Sequence, residues 1–141
     1  MDFGWYGDRD ISAALDYLST RPEVDIDKVA VVGMSMGGEE AVGAIASDHR
    51  IAAVIAEGAT ARTDLDKGWL REVYGARGRI QLKLEWLQYA FTDLLTAAPK
   101  PPVLADAAQA AQPRPVLLIA GGDMPDEINA AEFIASNAGS H

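Results

Sequence analysis

At 141 residues the chain has room for one domain, and a net charge of −9 excludes nucleic acid and anionic membrane as expected partners. The absence of cysteine removes disulfides and thiol chemistry, and no apolar run reaches the length that spans a bilayer. Met1-Asp2-Phe3-Gly4 is neither basic nor followed by an apolar stretch, so a signal peptide is not expected and a cytoplasmic location is.

Residues 2–7 form an aromatic loop punctuated by glycine, in which Phe3, Trp5 and Tyr6 either pack beneath a helix or wall a pocket. Asp8 is placed to cap a helix whose Ile11, Ala14, Leu15 and Leu18 share one face, and Arg21-Pro22 ends it. After the polar Val24-Asp25-Ile26-Asp27, the run Val29–Val32 predicts a strand. Its lack of alternation implies cover on both faces, as in a parallel sheet. A helix continues through residues 39–46 with Val42, Ile45 and Ala46 inward, while Glu39 and Glu40 in its first turn are expected to meet solvent and complement the dipole. Beyond the turn Ser47-Asp48-His49-Arg50, a second apolar strand at 51–56 ends at Glu57-Gly58. Strand, helix and strand in this order indicate an α/β fold with a parallel sheet.

From 59 to 112 the pattern turns helical. Residues 65–73 and 80–95 carry helical apolar spacing with Gly75 and Gly78 between them; Pro99, Pro101 and Pro102 follow, then an alanine-rich helix at 103–111. This stretch is expected to be a helical insertion, serving as a cap over the site or as outer-layer packing. Pro113-Arg114-Pro115 introduces a third strand, Val116–Ala120, with Gly121–Asp126 as its top loop. A last helix from Glu127 to Asn137 places Ile128, Ala131 and Ile134 on one face. The core is thus expected from 1–58 and 113–141, with 59–112 inserted.

The chemistry concentrates at Gly33-Met34-Ser35-Met36-Gly37, a Gly-x-Ser-x-Gly turn between the first strand and the next helix. A serine there sits on a strained turn at the top of the sheet, flanked by glycines because a Cβ would collide with the neighbouring strand or helix. Met36 follows the serine, so its backbone N–H and the helix dipole point to where an oxyanion would form. A phosphate-binding turn is the alternative. No Gly-Lys-Ser/Thr ending is present, and Ser35 fills the slot where a dinucleotide fingerprint needs its second glycine.

On the elbow strand and on Val116–Ala120, residues 7–58 and 113–137 resemble the α/β-hydrolase superfamily, nearest to dienelactone hydrolase-like and prolyl oligopeptidase-like members. The resemblance implies a serine hydrolase acting on a small acyl substrate, an ester or related bond, with no cofactor and no metal. A prolyl oligopeptidase-type peptidase is the alternative activity, and a catalytically incomplete hydrolase-fold fragment or interaction module is the alternative class. Family order is serine, acid, histidine, which makes Asp126 the first candidate acid, with Asp123 and Glu57 as alternatives. His49 is expected at the bottom of the sheet, roughly a strand length of 17–20 Å from Ser35, and His141 is expected to lie below the sheet as well. The family's histidine and second oxyanion donor fall in segments this chain is not expected to contain, so exposed sheet edges and self-association through them are anticipated.

Overall fold

The computed structural model describes residues 4–138; Phe3 and His141 lie outside them. In chain order the elements are helix α1 (Gly7–Ser19), a 3₁₀ turn (Ile26–Lys28), strand β1 (Val29–Met34), helix α2 (Met36–Ser47) and strand β2 (Ile51–Glu57). A second 3₁₀ turn (Asp64–Lys67), helix α3 (Leu70–Leu95), helix α4 (Leu104–Ala110), strand β3 (Val116–Ile119) and helix α5 (Pro125–Asn137) follow. The three strands run parallel in the order β1-β2-β3. This is the α/β architecture of a partial α/β-hydrolase fold.

Register decides which side chains meet. Val31, Val54 and Val116 form one row across the sheet, and Gly33, Ala56 and Leu118 form the next row on the same face. Against that face pack Leu15 of α1, Val42 and Ile45 of α2, Leu104 and Ala107 of α4 and Ile134 of α5, all buried in one cluster. Burying a side chain of this size contributes about 1.5–3 kcal/mol, so this single layer of helices provides most of the apolar stabilisation.

The other face is different. Val32, Ile55 and Leu117 make one row there and Met34 and Ile119 flank it, with Val32 69% and Leu117 54% exposed. The expectation that the elbow strand is covered on both faces is therefore corrected: β1 alternates between half-buried and exposed residues. The physical reason is that α1, α2, α4 and α5 all pack on the Val31 side.

Within 59–112, α4 joins the main core, and Leu104, Ala107 and Ala111 are buried against α2 and the sheet. The two helices expected upstream are present: Leu70–Leu95, labelled α3 for brevity, is two helical segments that meet at Gly75, where φ is 55° and ψ −124° and the helix is interrupted. Only glycine adopts such a backbone without Cβ strain. In α5 the inward face is Ala130 and Ile134, while Ile128 is 37% exposed, which corrects the expected stripe by rotating it.

Asp8 does not cap α1; the capping position is Tyr6, and no side chain bonds there. The Asp8 carboxylate accepts instead from Arg62 Nη1 at 2.6 Å. Arg62 is buried, and its Nη2 also donates to the Gly4 carbonyl at 2.9 Å. The guanidinium lies over Gly43 so closely that a Cβ there would fall 2.0 Å from Nη1. Trp5 is buried beside Tyr89 and Ala98, and its indole N–H donates to the Arg62 carbonyl at 3.3 Å. Packing, rather than a pocket wall, is what Trp5 does here.

Candidate active site

Ser35 closes β1 and stands at the N-cap of α2 with φ 52° and ψ −125°, the one non-glycine residue with positive φ among the described residues. Gly75 holds nearly the same angles, but a serine there bears a strain of order 1–3 kcal/mol that glycine avoids. Neighbours over-determine the turn. The Ser35 N–H donates to the Glu57 carbonyl at 2.7 Å, and the Ser35 carbonyl accepts from Gly38 N at 2.9 Å and Glu39 N at 3.1 Å. A Cβ on Gly33 would lie 2.2 Å from the Gly37 carbonyl oxygen, whereas one on Gly37 meets nothing within 4 Å. The close approach therefore needs Gly33 but not Gly37. Its second partner is Gly38, where a Cβ would sit 3.1 Å from the Gly33 carbonyl oxygen and 3.3 Å from Ala56 Cβ.

A direct consequence concerns Ser35→Gly. Strain relief of order 1–3 kcal/mol outweighs the roughly 0.5–1 kcal/mol that glycine loses in chain entropy. The variant is expected to be more stable than the parent by about 1 kcal/mol, read as a higher urea midpoint at unchanged m-value.

Ser35 and Met36 are both exposed. Met36 is the first residue of α2, so its N–H has no partner a turn earlier in the helix and points outward with the helix dipole. That arrangement suits an anion beside Ser35 Oγ.

The carboxylates around this sheet end behave differently from one another. Glu39, expected to meet solvent, is buried, and its Oε1 accepts from Thr60 N, Thr60 Oγ1 and Ala61 N, each at 3.0 Å. It ties α2 to the loop after β2. Glu40 is half-buried above Gly4 and Gly7, and desolvation pushes its carboxyl above the usual range, only partly countered by Arg62. Desolvation also raises Asp8, against the pull of Arg62. Both corrections have one cause: the N-terminal loop and residues 60–62 cover the first turn of α2.

Glu57 ends β2 opposite Met34, with its side chain exposed and its carbonyl taken by Ser35. Asp123 is exposed in the turn after β3. Asp126, in the first turn of α5, accepts from the Tyr74 hydroxyl at 2.7 Å, and that bond raises the phenol above its ordinary value. Asp126 also lines a small hollow with Tyr74, Arg77 and Gln81 at the α3 kink. Ser35, Glu57, Asp123 and Asp126 thus gather at the C-terminal end of the parallel strands, and no hydrogen bond joins Ser35 to any of the three carboxylates.

One carboxylate went unread in the sequence. Glu127 Oε2 accepts from Gly121 N at 2.9 Å, and its carboxylate lies beside Gly58, where a Cβ would be 3.3 Å from Oε1. It bridges the tops of β2 and β3. Its position supplies the missed signal: with Met124 at the N-cap, Glu127 is the third helical residue, the place from which a Glu reaches back to a preceding N–H. His49 is exposed in the turn before β2, at the opposite end of the strands from Ser35.

The parallel sheet and the strand-to-helix turn that holds serine in a strained conformation are consistent with a partial α/β-hydrolase fold. The model of the dienelactone hydrolase family matches residues 6–67, from the start of α1 through the elbow to the second 3₁₀ turn. Over that segment the chain is similar to the dienelactone hydrolase family, whose members belong to the α/β-hydrolase superfamily. No described helix is long and apolar enough to cross a membrane.

Proposed function

We propose that Ser35 is the nucleophile of an acyl hydrolase acting on a small ester or related substrate. The observation that carries this reading is the positive φ of Ser35. A turn that served only to link a strand and a helix would relax with glycine, as α3 does at Gly75. In the proposed step Ser35 Oγ attacks the carbonyl carbon and gives its proton to an imidazole. The carbonyl oxygen becomes an oxyanion held by the Met36 N–H, and the leaving alcohol takes the proton as the acyl–serine bond forms. Water then releases the acid by the same path.

The carboxylate that orients the imidazole comes from the first turn of α5. Asp126 is the positional choice. Glu127 is the one whose carboxylate reaches Gly58, next in chain to the Glu57 carbonyl that binds Ser35. The imidazole itself has to reach Ser35 from outside residues 4–138, because His49 occupies the far end of the sheet. A peptidase of the prolyl oligopeptidase type would use the same elbow; no feature here favours it over an esterase.

The test is fluorophosphonate labelling of the folded chain with and without added imidazole, with Ser35→Ala as control. The expected result is labelling confined to Ser35 and accelerated roughly tenfold or more by imidazole, below the 10²–10⁴ of a positioned base. A sample with an intact circular dichroism spectrum that stays unlabelled in both conditions overturns the reading.

A further inference from the structure

Where the loop before α1 meets α2, several carboxylates surround a single cation. Asp8 and Asp10 come from the first turn of α1, Glu39 and Glu40 from the start of α2, and the cation is the buried Arg62. Arg62 donates to Asp8 and to the Gly4 carbonyl. Glu39 accepts from the donors of residues 60 and 61, and Asp10 is exposed to water. Glu40 is the exception. It is half-buried, and its carboxylate group lies so close to Gly4 and Gly7 that a Cβ on either glycine would collide with it. No hydrogen-bond donor reaches it among the described residues, although Arg62 Nε is itself buried without a partner. Arg9, the next cation along α1, lies over the Tyr6 ring at 5.3 Å.

A carboxylate taken out of water without a donor favours its neutral form. Burial does this to Glu40, with Asp8, Asp10 and Glu39 adding like charge against the pull of Arg62. The cover is the turn at 4–7, closed by the Gly7 N–H donating to the Gly4 carbonyl at 2.9 Å. Lifting that turn returns the Glu40 carboxylate to water, where it ionises freely.

We propose that the loop before α1 is a proton-controlled clasp on α2: Glu40 takes up a proton as Gly4 and Gly7 close on it, and releases it as the loop lifts. The clasp flanks the serine turn, since Met36 Cγ lies 3.1 Å from where a Gly4 Cβ would stand. It operates whether or not Ser35 reacts. The closed form holds the proton more tightly than the open one. Closure is therefore strongest below the ordinary glutamate value of 4.5 and weakens as pH rises through the higher value of the closed form. For one proton the open-to-closed ratio grows by at most about tenfold per pH unit. Asp8, raised by burial against the pull of Arg62, adds a smaller share in the same direction.

Trp5 reports on the clasp, because it is buried and its indole donates to the Arg62 carbonyl. In a Trp86→Phe host, which removes the exposed indole and keeps the buried Trp5 and Trp69, acrylamide quenching is followed from about pH 4.5 to about pH 8. The expected result is a severalfold rise in quenching at constant far-ultraviolet circular dichroism. Adding Trp5→Phe should abolish the rise, and adding Glu40→Gln should cut it to less than about half, the remainder being the share of Asp8. Glu40→Ala, which removes volume as well as charge, should quench more at every pH with the same weak pH dependence; a Glu40 that only fills space would leave the full dependence in place. A flat parent overturns the proposal, as does a Glu40→Gln chain that keeps half or more of the rise. A rise that survives Trp5→Phe, or that comes with loss of circular dichroism, overturns it too.

Discussion

Asp66→Ala is expected to remove a large share of the folding stability of this chain. Asp66 is fully buried. Its Oδ2 accepts from Arg62 N at 3.1 Å, Thr63 N at 2.8 Å and Thr63 Oγ1 at 2.9 Å, and its Oδ1 accepts from Leu104 N at 2.6 Å. Desolvation pushes the carboxyl above its ordinary range while these four donors pull it down. Alanine would leave three backbone N–H groups without an acceptor, each at about 1–3 kcal/mol. The total, on the order of 3 kcal/mol or more, compares with a stability of roughly 5–15 kcal/mol for an ordinary domain. Asp66→Asn separates the contributions. Its amide oxygen still serves the Arg62 and Thr63 donors, while its NH₂ confronts the Leu104 N–H, so its loss should fall between parent and alanine. Urea unfolding of the three proteins measures this; an alanine variant within about 0.5 kcal/mol of the parent, the range of neutral surface changes, would refute it.

The second large effect is at Gly33. The group an added methyl would strike is backbone, the Gly37 carbonyl oxygen at 2.2 Å and carbon at 2.4 Å, so no side chain can rotate aside. Relief requires the start of α2 to move off β1, which breaks the turn that holds Ser35. Overpacking usually costs about 1–3 kcal/mol and occasionally more, and this contact belongs at the upper end. Gly33→Ala should lower Tm by roughly 6–12 °C and abolish fluorophosphonate labelling of Ser35. Gly37→Ala is the internal control: its Cβ meets nothing within 4 Å, so Tm should stay within about 2 °C of the parent. Equal losses from the two would show that the contact at Gly33 is not the source of the effect, since chain entropy alone favours alanine at both.

The difference between these two glycines marks how far the sequence could be read. The motif announces the elbow because strand, turn and helix are local, and β1, Ser35 and α2 fall where the pattern places them. Which glycine is indispensable depends on how closely α2 approaches β1 and β2, and spacing along the chain does not contain that distance. The misread charges share this cause. Asp8 reads as a helix cap, and Glu39 and Glu40 as ordinary first-turn acids, until Arg62, residues 60–61 and the N-terminal glycines fold against them. Arg62 carries no local sign that it will be buried. Glu127 was legible in principle from its helical position, but only β2 and β3 side by side give it two loops to bridge. The open face of β1 was illegible, because an unbroken apolar run reads the same whether one face or two is covered.

Arg62 also bears on the order in which the chain assembles. It fastens to Gly4 and Asp8 across 58 and 54 residues of chain, a closure whose entropy must be met before any contact rewards it. The elbow, α2 and β2 are near neighbours and can form without it. Fastening of Gly4 and Asp8 to Arg62 is therefore expected to come late in folding. Gly4 and Gly7 lie against Glu40 and Arg62 lies over Gly43, so this one closure lays the floor beneath the helix that begins at the strained serine turn.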